Sequence, residues 1–129
     1  MLNLDTKILI HALQVSLKTS EKKLLASQPW SISAIVLWEL SKLVQLGRIA
    51  VNLDDPEVKV RLSGIHVWPL TLPVCRAIHD LDFKSDPADE LIAATSIVHG
   101  VPLVTRDTKI RKSKLVPLAT SRNPLSNPS

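Results

Sequence analysis

Four short apolar runs constrain the architecture: LNLD at residues 2–5, WSIS at 30–33, HVWPL at 66–70 and PLVT at 102–105. Runs of this length with little polar alternation fit strands covered on both faces. The segments between them have helical spacing. One runs from Thr6 to about Gln14, with Ile8, Leu9, Ala12 and Leu13 as its stripe. SEKKLLAS forms a short polar-faced helix. AIVLWELSKLVQLGRI follows, capped by Ser33 and ended at Gly47. Asp55-Pro56 and Asp86-Pro87 each place a cap residue before a proline suited to the first helical position. The first pair starts a helix reaching Gly64; the second starts DPADELIAATSIVHG, ended by Gly100. A helix over about Leu72 to Asp80, a short basic helix after Asp107 and a last edge strand in KLVPL complete the pattern. Strands alternating with helices predict an α/β fold with a parallel sheet.

A length of 129 residues favours one compact domain, predicted over 1–120, and the Ser-, Asn- and Pro-rich remainder, 121–129, is predicted disordered. With almost no Phe or Tyr, the core is expected to be aliphatic, with Trp30, Trp38 and Trp68 as its large pieces. Cys75 is the only cysteine, which excludes an internal disulfide and, with no secretion signal in the opening residues, leads to an expected cytoplasmic location. No segment approaches the roughly 18 apolar residues that would span a membrane. The net charge of +4 suits a nucleic-acid partner. The basic residues cluster late, at Arg106, Lys109, Arg111, Lys112 and Lys114. That cluster fits a solvated surface and a phosphate-binding surface equally well.

The functional signal is the placement of four carboxylates. Asp5 ends the first strand and Asp107 lies just past PLVT, at the edge where ligands bind in open α/β sheets. Glu39 shares a helix face with Ile35, Leu43 and Leu46, which leaves it either on an apolar stripe with a partner or at the stripe's margin reaching water. Asp86 and Asp89 stand at the cap and third helical positions, a capping-box spacing that fits purely structural roles. Against that, Ile92 and Ala93 continue the Asp89 face as a buried small-residue surface. Asp86 is assigned mainly to capping, and Asp107 also has a cap reading. Taken singly each acid has a structural explanation; together at one edge they favour a site.

Carboxylates drawn together raise each other's pKa values, and a divalent cation removes that repulsion. Mg²⁺ and Mn²⁺ prefer oxygen ligands. No zinc spacing exists among Cys75, His11, His66, His79 and His99, and there is no GxSxG elbow, P-loop or GxGxxG. Lys7 stands where an aspartyl-phosphate phosphatase would carry its second acid.

The runs LDTKILIHAL, SISAIVLWELSKLVQLGRI and DPADELIAATSIVHGVPLVTRD, in this order, resemble the PIN-domain family, and within it the VapC toxins of toxin–antitoxin modules. The resemblance covers roughly residues 2 to 118, and its third motif is the most specific. It implies a three-layer α/β/α fold with a central, mainly parallel sheet. It places the family's acids on Asp5, Glu39, Asp89 and Asp107, as catalytic residues and metal ligands, with Thr6, Thr105 and Asp86 in support. It also implies Mg²⁺- or Mn²⁺-dependent endonucleolytic cleavage of RNA, a homodimer and a cognate antitoxin. Glu90 departs from the Arg that many relatives carry there. The alternatives are a PIN nuclease of RNA processing and a PIN-like module that binds without cutting.

Overall fold

The computed structural model of the chain describes residues 1–120, so the tail expected to be disordered lies outside the described residues. The four apolar runs form β1 (Leu2–Leu4), β2 (Trp30–Ser33), β3 (His66–Trp68) and β4 (Leu103–Val104). They pair in the order β3-β2-β1-β4, and every pairing is parallel. Helices flank the sheet: α1 (Thr6–Leu13), α2 (Thr19–Leu25), α3 (Ala34–Gln45), α4 (Pro56–Ser63), α5 (Leu72–Ala77), α6 (Pro87–His99) and α7 (Thr108–Arg111). A 3₁₀ turn, Ile78–Asp80, extends α5 to the end expected from the sequence.

The strand order locates the site. The chain leaves β1, builds outward through β2 and β3, then returns to the opposite side of β1 with β4. The connections diverge between β1 and β4, which opens a crevice beyond their carboxyl ends. Asp5 follows β1 at this crevice, and its N–H donates to the carbonyl of Val104 at 3.2 Å. Thr105, Arg106 and Asp107 follow β4.

The core is aliphatic. Leu2, Leu4, Ile8, Leu9, Val36, Val74 and Leu103 are fully buried. α6 packs through small residues: Ala93, Ala94, Thr95 and Ser96 have no exposed surface, so its backbone lies close to its neighbours. Asn3 is buried in β1 and donates to Ser96 Oγ at 2.9 Å, fixing α6 against the sheet. Gly100 ends α6 with φ +63°, a left-handed conformation that suits a residue without Cβ. At the end of α1 the left-handed position falls instead on Val15, φ 55°, a β-branched residue for which this conformation is strained.

Three expectations are corrected. KLVPL forms a single parallel bridge, Leu103 to Leu118, and no strand. Pro117 sits inside it and has no N–H to offer a ladder; its carbonyl accepts from Leu103 and the ladder stops at Ala119. Trp38 is 58% exposed and is not a core residue. It lies on the outer side of α3, whose buried positions are Val36 and Leu40. Leu46 is 57% exposed, so the apolar face expected to carry Glu39 ends at the half-buried Leu43.

Candidate active site

Asp5 is built into the fold by its neighbours. It is the N-cap of α1, where its Oδ1 accepts from the Ile8 N–H at 2.9 Å. Its Oδ2 accepts from the hydroxyl of Thr105, which stands on the other side of the crevice. With 7% of its surface exposed, Asp5 is held above the usual carboxylate range. Burial is the main cause, and the charges of Asp89 and Asp107 add to it; the bonds from Thr105 and Ile8 oppose it.

Glu39 is half-buried on α3, and the Thr6 hydroxyl donates to its Oε1. It occupies the margin of the α3 stripe, turned toward α1. Asp89 stands in the first turn of α6, where its Oδ2 accepts from Ser85 Oγ at 2.9 Å. Its carboxyl is also raised, by burial first and then by the charges of Asp107 and Asp86, with Ser85 and Lys7 pulling the other way. Asp107 caps α7: its Oδ1 accepts from the N–H groups of Lys109 at 2.8 Å and Ile110 at 3.1 Å.

Asp86 departs from its expected role. Its backbone holds the N-cap position, and its carbonyl accepts from Glu90 N–H at 3.1 Å, yet its carboxylate makes no capping bond. The capping-box pairing with Asp89 is absent as well, because Ser85 takes Asp89 through its hydroxyl and Glu90 through its N–H at 3.1 Å. Glu90 thus fixes the turn before α6.

These acids meet at one place. Asp5, Glu39, Asp86, Asp89 and Asp107 all line one cavity of roughly 1200 Å³ at the carboxyl edge of the sheet. Among the described residues, no group of three or more His, Cys, Asp or Glu side chains is arranged closely enough to hold a metal ion. The acids that line the cavity offer oxygen donors, the ligand type that hard divalent cations prefer.

Arg106 and His11 line one wall of the cavity, and the contacts that hold them there are not visible in the sequence. Glu21 on α2 grips Arg106 with both oxygens, at 2.7 Å to Nε and 2.6 Å to Nη2. Nη1 of Arg106 lies 3.1 Å from His11 Nε2, and the His11 Nδ1 lies 2.7 Å from Ser16 Oγ. Glu21 is driven down to about 2 by Arg106, chiefly through these hydrogen bonds. The partners lie 85 and 95 residues apart in the chain, so no local spacing reveals them. Arg106 is therefore only partly a surface cation, and Arg111, which donates to the Thr105 carbonyl at 3.1 Å, is partly structural too.

A parallel sheet with acids at the β1/β4 switch point defines the class of the molecule. The PIN domain family model matches residues 3–114, and the chain belongs to that family. Among curated relatives it is similar to Ribonuclease VapC22 of Mycobacterium tuberculosis (strain ATCC 25618 / H37Rv), 30% identical over 88 residues that span 65% of this chain and 67% of the relative. Among solved structures the fold resembles a toxin–antitoxin complex from Klebsiella pneumoniae, with a TM-score of 0.68 and 21% identity over 95% of this chain and 98% of the other. It also resembles VapBC2 from Rickettsia felis bound to a promoter DNA fragment, with a TM-score of 0.69 and 21% identity over 92% of this chain and 98% of the other. FitAcB from Neisseria gonorrhoeae has the same fold, with a TM-score of 0.64 and 23% identity over 94% of this chain and 98% of the other.

Proposed function

We propose that the chain is a Mg²⁺- or Mn²⁺-dependent endoribonuclease and the toxin of a VapBC-like toxin–antitoxin module, acting in the cytoplasm. The observation that carries this reading is the meeting of four carboxylates, from four separate parts of the chain, in one cavity at the switch point. Two of them, Asp5 and Asp89, are held above their usual range partly by neighbouring acids. Membership of the PIN family and the likeness to a VapC ribonuclease support the choice of RNA as substrate.

Each carboxylate has a distinct part. Asp5, fixed on both oxygens, and Asp89, fixed through Ser85, would hold the cation directly. Glu39 and Asp107 each keep one oxygen outside the hydrogen bonds that orient them, and so could accept a proton from an attacking water. A bound Mg²⁺ or Mn²⁺ supplies Lewis-acid polarisation of a phosphoryl oxygen and lowers the pKa of a coordinated water. Hydrolysis adds water across a P–O bond, so one proton must leave the nucleophile and one must reach the leaving ribose oxygen. Glu39 and Asp107 are the acceptors this chain offers for the first; Thr6 and the α7 N–H groups hold them in place.

The partner side of the proposal rests on an apolar groove of about 570 Å³ that adjoins the acidic cavity and shares Glu39 and Asp86 with it. Ile35, Trp38, Leu70 and Pro87 line it. An antitoxin segment laying apolar residues here would carry an Arg or Lys to the acids in place of the cation. Homodimer formation belongs to the same proposal, with exposed Leu72 on α5 and Val98 on α6 as apolar surface for it. Among the described residues no helix is long and apolar enough to cross a membrane.

The test is RNA cleavage by the chelated protein before and after Mg²⁺ or Mn²⁺ is restored. We expect no cleavage in chelator and recovery with either ion. Full activity in chelator contradicts the metal assignment; RNA binding with no cleavage under any ion favours a non-catalytic module.

A further inference from the structure

Arg106 has more hydrogen-bonding capacity than its contacts use. A guanidinium carries five N–H donors. Glu21 takes the Nε donor and one on Nη2, and His11 takes one on Nη1. One N–H on each terminal nitrogen is left over, and the side chain is 29% exposed. Arg106 also stands on a boundary. It lines the acidic cavity and, on its other side, a polar groove of about 560 Å³ that includes Lys18, Ser20 and Arg111.

These observations meet a requirement of the proposed chemistry. An acidic cavity repels every phosphate that a cation does not directly neutralise, so an RNA strand crossing it needs fixed donors alongside. Resting on the ribonuclease reading, we infer that Arg106 grips an RNA phosphate neighbouring the one that is cut, and that the strand continues into the groove with Lys18 and Arg111. Glu21 and His11 are positioning residues. They hold the guanidinium rigid before RNA arrives, so less side-chain freedom is lost on binding. His11 is itself set by Ser16, which the left-handed turn at Val15 brings back onto the end of α1. The competing explanation is a plain tether between α2 and the segment after β4.

The two explanations separate in RNA binding. The probe is an RNA oligonucleotide, titrated over a range of salt with Ca²⁺ in place of Mg²⁺ and checked for intactness after each titration, with wild-type cleavage measured separately in Mg²⁺. For Arg106→Gln we expect affinity to fall about tenfold for any sequence, and the log–log salt slope to fall by about 0.7, the share of one phosphate on a single strand. Glu21→Gln breaks the same ion pair but leaves the guanidinium charge. We expect it to lower RNA affinity far less than Arg106→Gln does and to leave the salt slope unchanged, while lowering the rate of cleavage. A tether makes the two variants weaken RNA binding alike, in step with their loss of thermal stability, and that result overturns the assignment. Should Arg106→Gln not fold, Arg106→Lys replaces it; we expect the salt slope kept and affinity lowered several-fold, and unchanged affinity overturns the assignment. Wild-type protein that binds and cuts RNA while Arg106→Gln keeps its affinity and slope overturns this inference alone. Wild-type protein that neither binds nor cuts RNA overturns the ribonuclease reading together with it.

Discussion

Asp5 and Glu21 sit on two sides of Arg106 and are treated in opposite ways. Glu21 has a guanidinium in its grasp and is driven down to about 2. Asp5 is more deeply enclosed, faces Asp89 and Asp107, and is raised. Arg106 feels the charge of both, but of the two carboxylates only Glu21 accepts its hydrogen bonds. The difference teaches what each acid is for. A carboxylate meant to hold structure is given its counter-charge within the chain. A carboxylate left among other carboxylates, satisfied by a hydroxyl and an N–H, has its charge only partly offset, as the proposed cation site requires.

The largest effect should come from removing charge on the unpaired side. Asp5→Asn or Asp89→Asn keeps shape and should reduce RNA cleavage to background in a Mg²⁺ assay. Asp86→Asn, which caps nothing and stands at the cavity rim, should retain substantial activity. Activity surviving in Asp89→Asn but lost in Asp86→Asn would move the ligand role to Asp86.

A smaller effect separates the two acids by pH. In metal-free buffer Asp5 and Asp89, raised in the fold above 3.8, favour folding only when protonated; that stability is complete below 3.8 and is lost as pH rises through their raised values. Glu21, lowered from 4.5 to about 2, favours folding when ionised; that stability is complete above 4.5 and is lost as pH falls toward 2. Asp82, held down by Ser113 and Lys114, loses its contribution in the same acid range. Unfolding in denaturant should therefore show stability rising as pH falls through the raised values of Asp5 and Asp89 toward 3.8, and falling as pH drops further toward 2. Asp5→Asn should flatten the neutral-side slope, and Glu21→Gln should flatten the acid-side one. A neutral-side slope unchanged in Asp5→Asn contradicts the comparison.

The same contrast marks what sequence could reveal. The strands, the proline-started helices and the acids at strand ends are local patterns, and the structure keeps them: Asp5 follows β1, Asp107 follows β4, and Asp89 stands in the first turn of α6. Roles that depend on contacts distant in sequence were not legible. Asp86 has the spacing of a cap residue, but Ser85 and Glu90 organise that turn. Trp38 has the composition of a core residue but points outward, because α3 is covered along Val36 and Leu40. The Glu21–Arg106–His11 wall joins three segments whose charges look like solvated surface when read one at a time.

The most direct measurement is the melting temperature of wild-type protein and Asp5→Asn, each in chelator and with Mn²⁺. A ligand that binds only the folded state raises its stability, and removal of a repelled charge does the same without a ligand. We expect Asp5→Asn to melt above wild type in chelator, and Mn²⁺ to raise wild type while leaving the variant nearly unchanged. Wild type that ignores Mn²⁺, or Asp5→Asn that gains from the ion as much as wild type does, would contradict the assignment of this acidic cavity as a cation site.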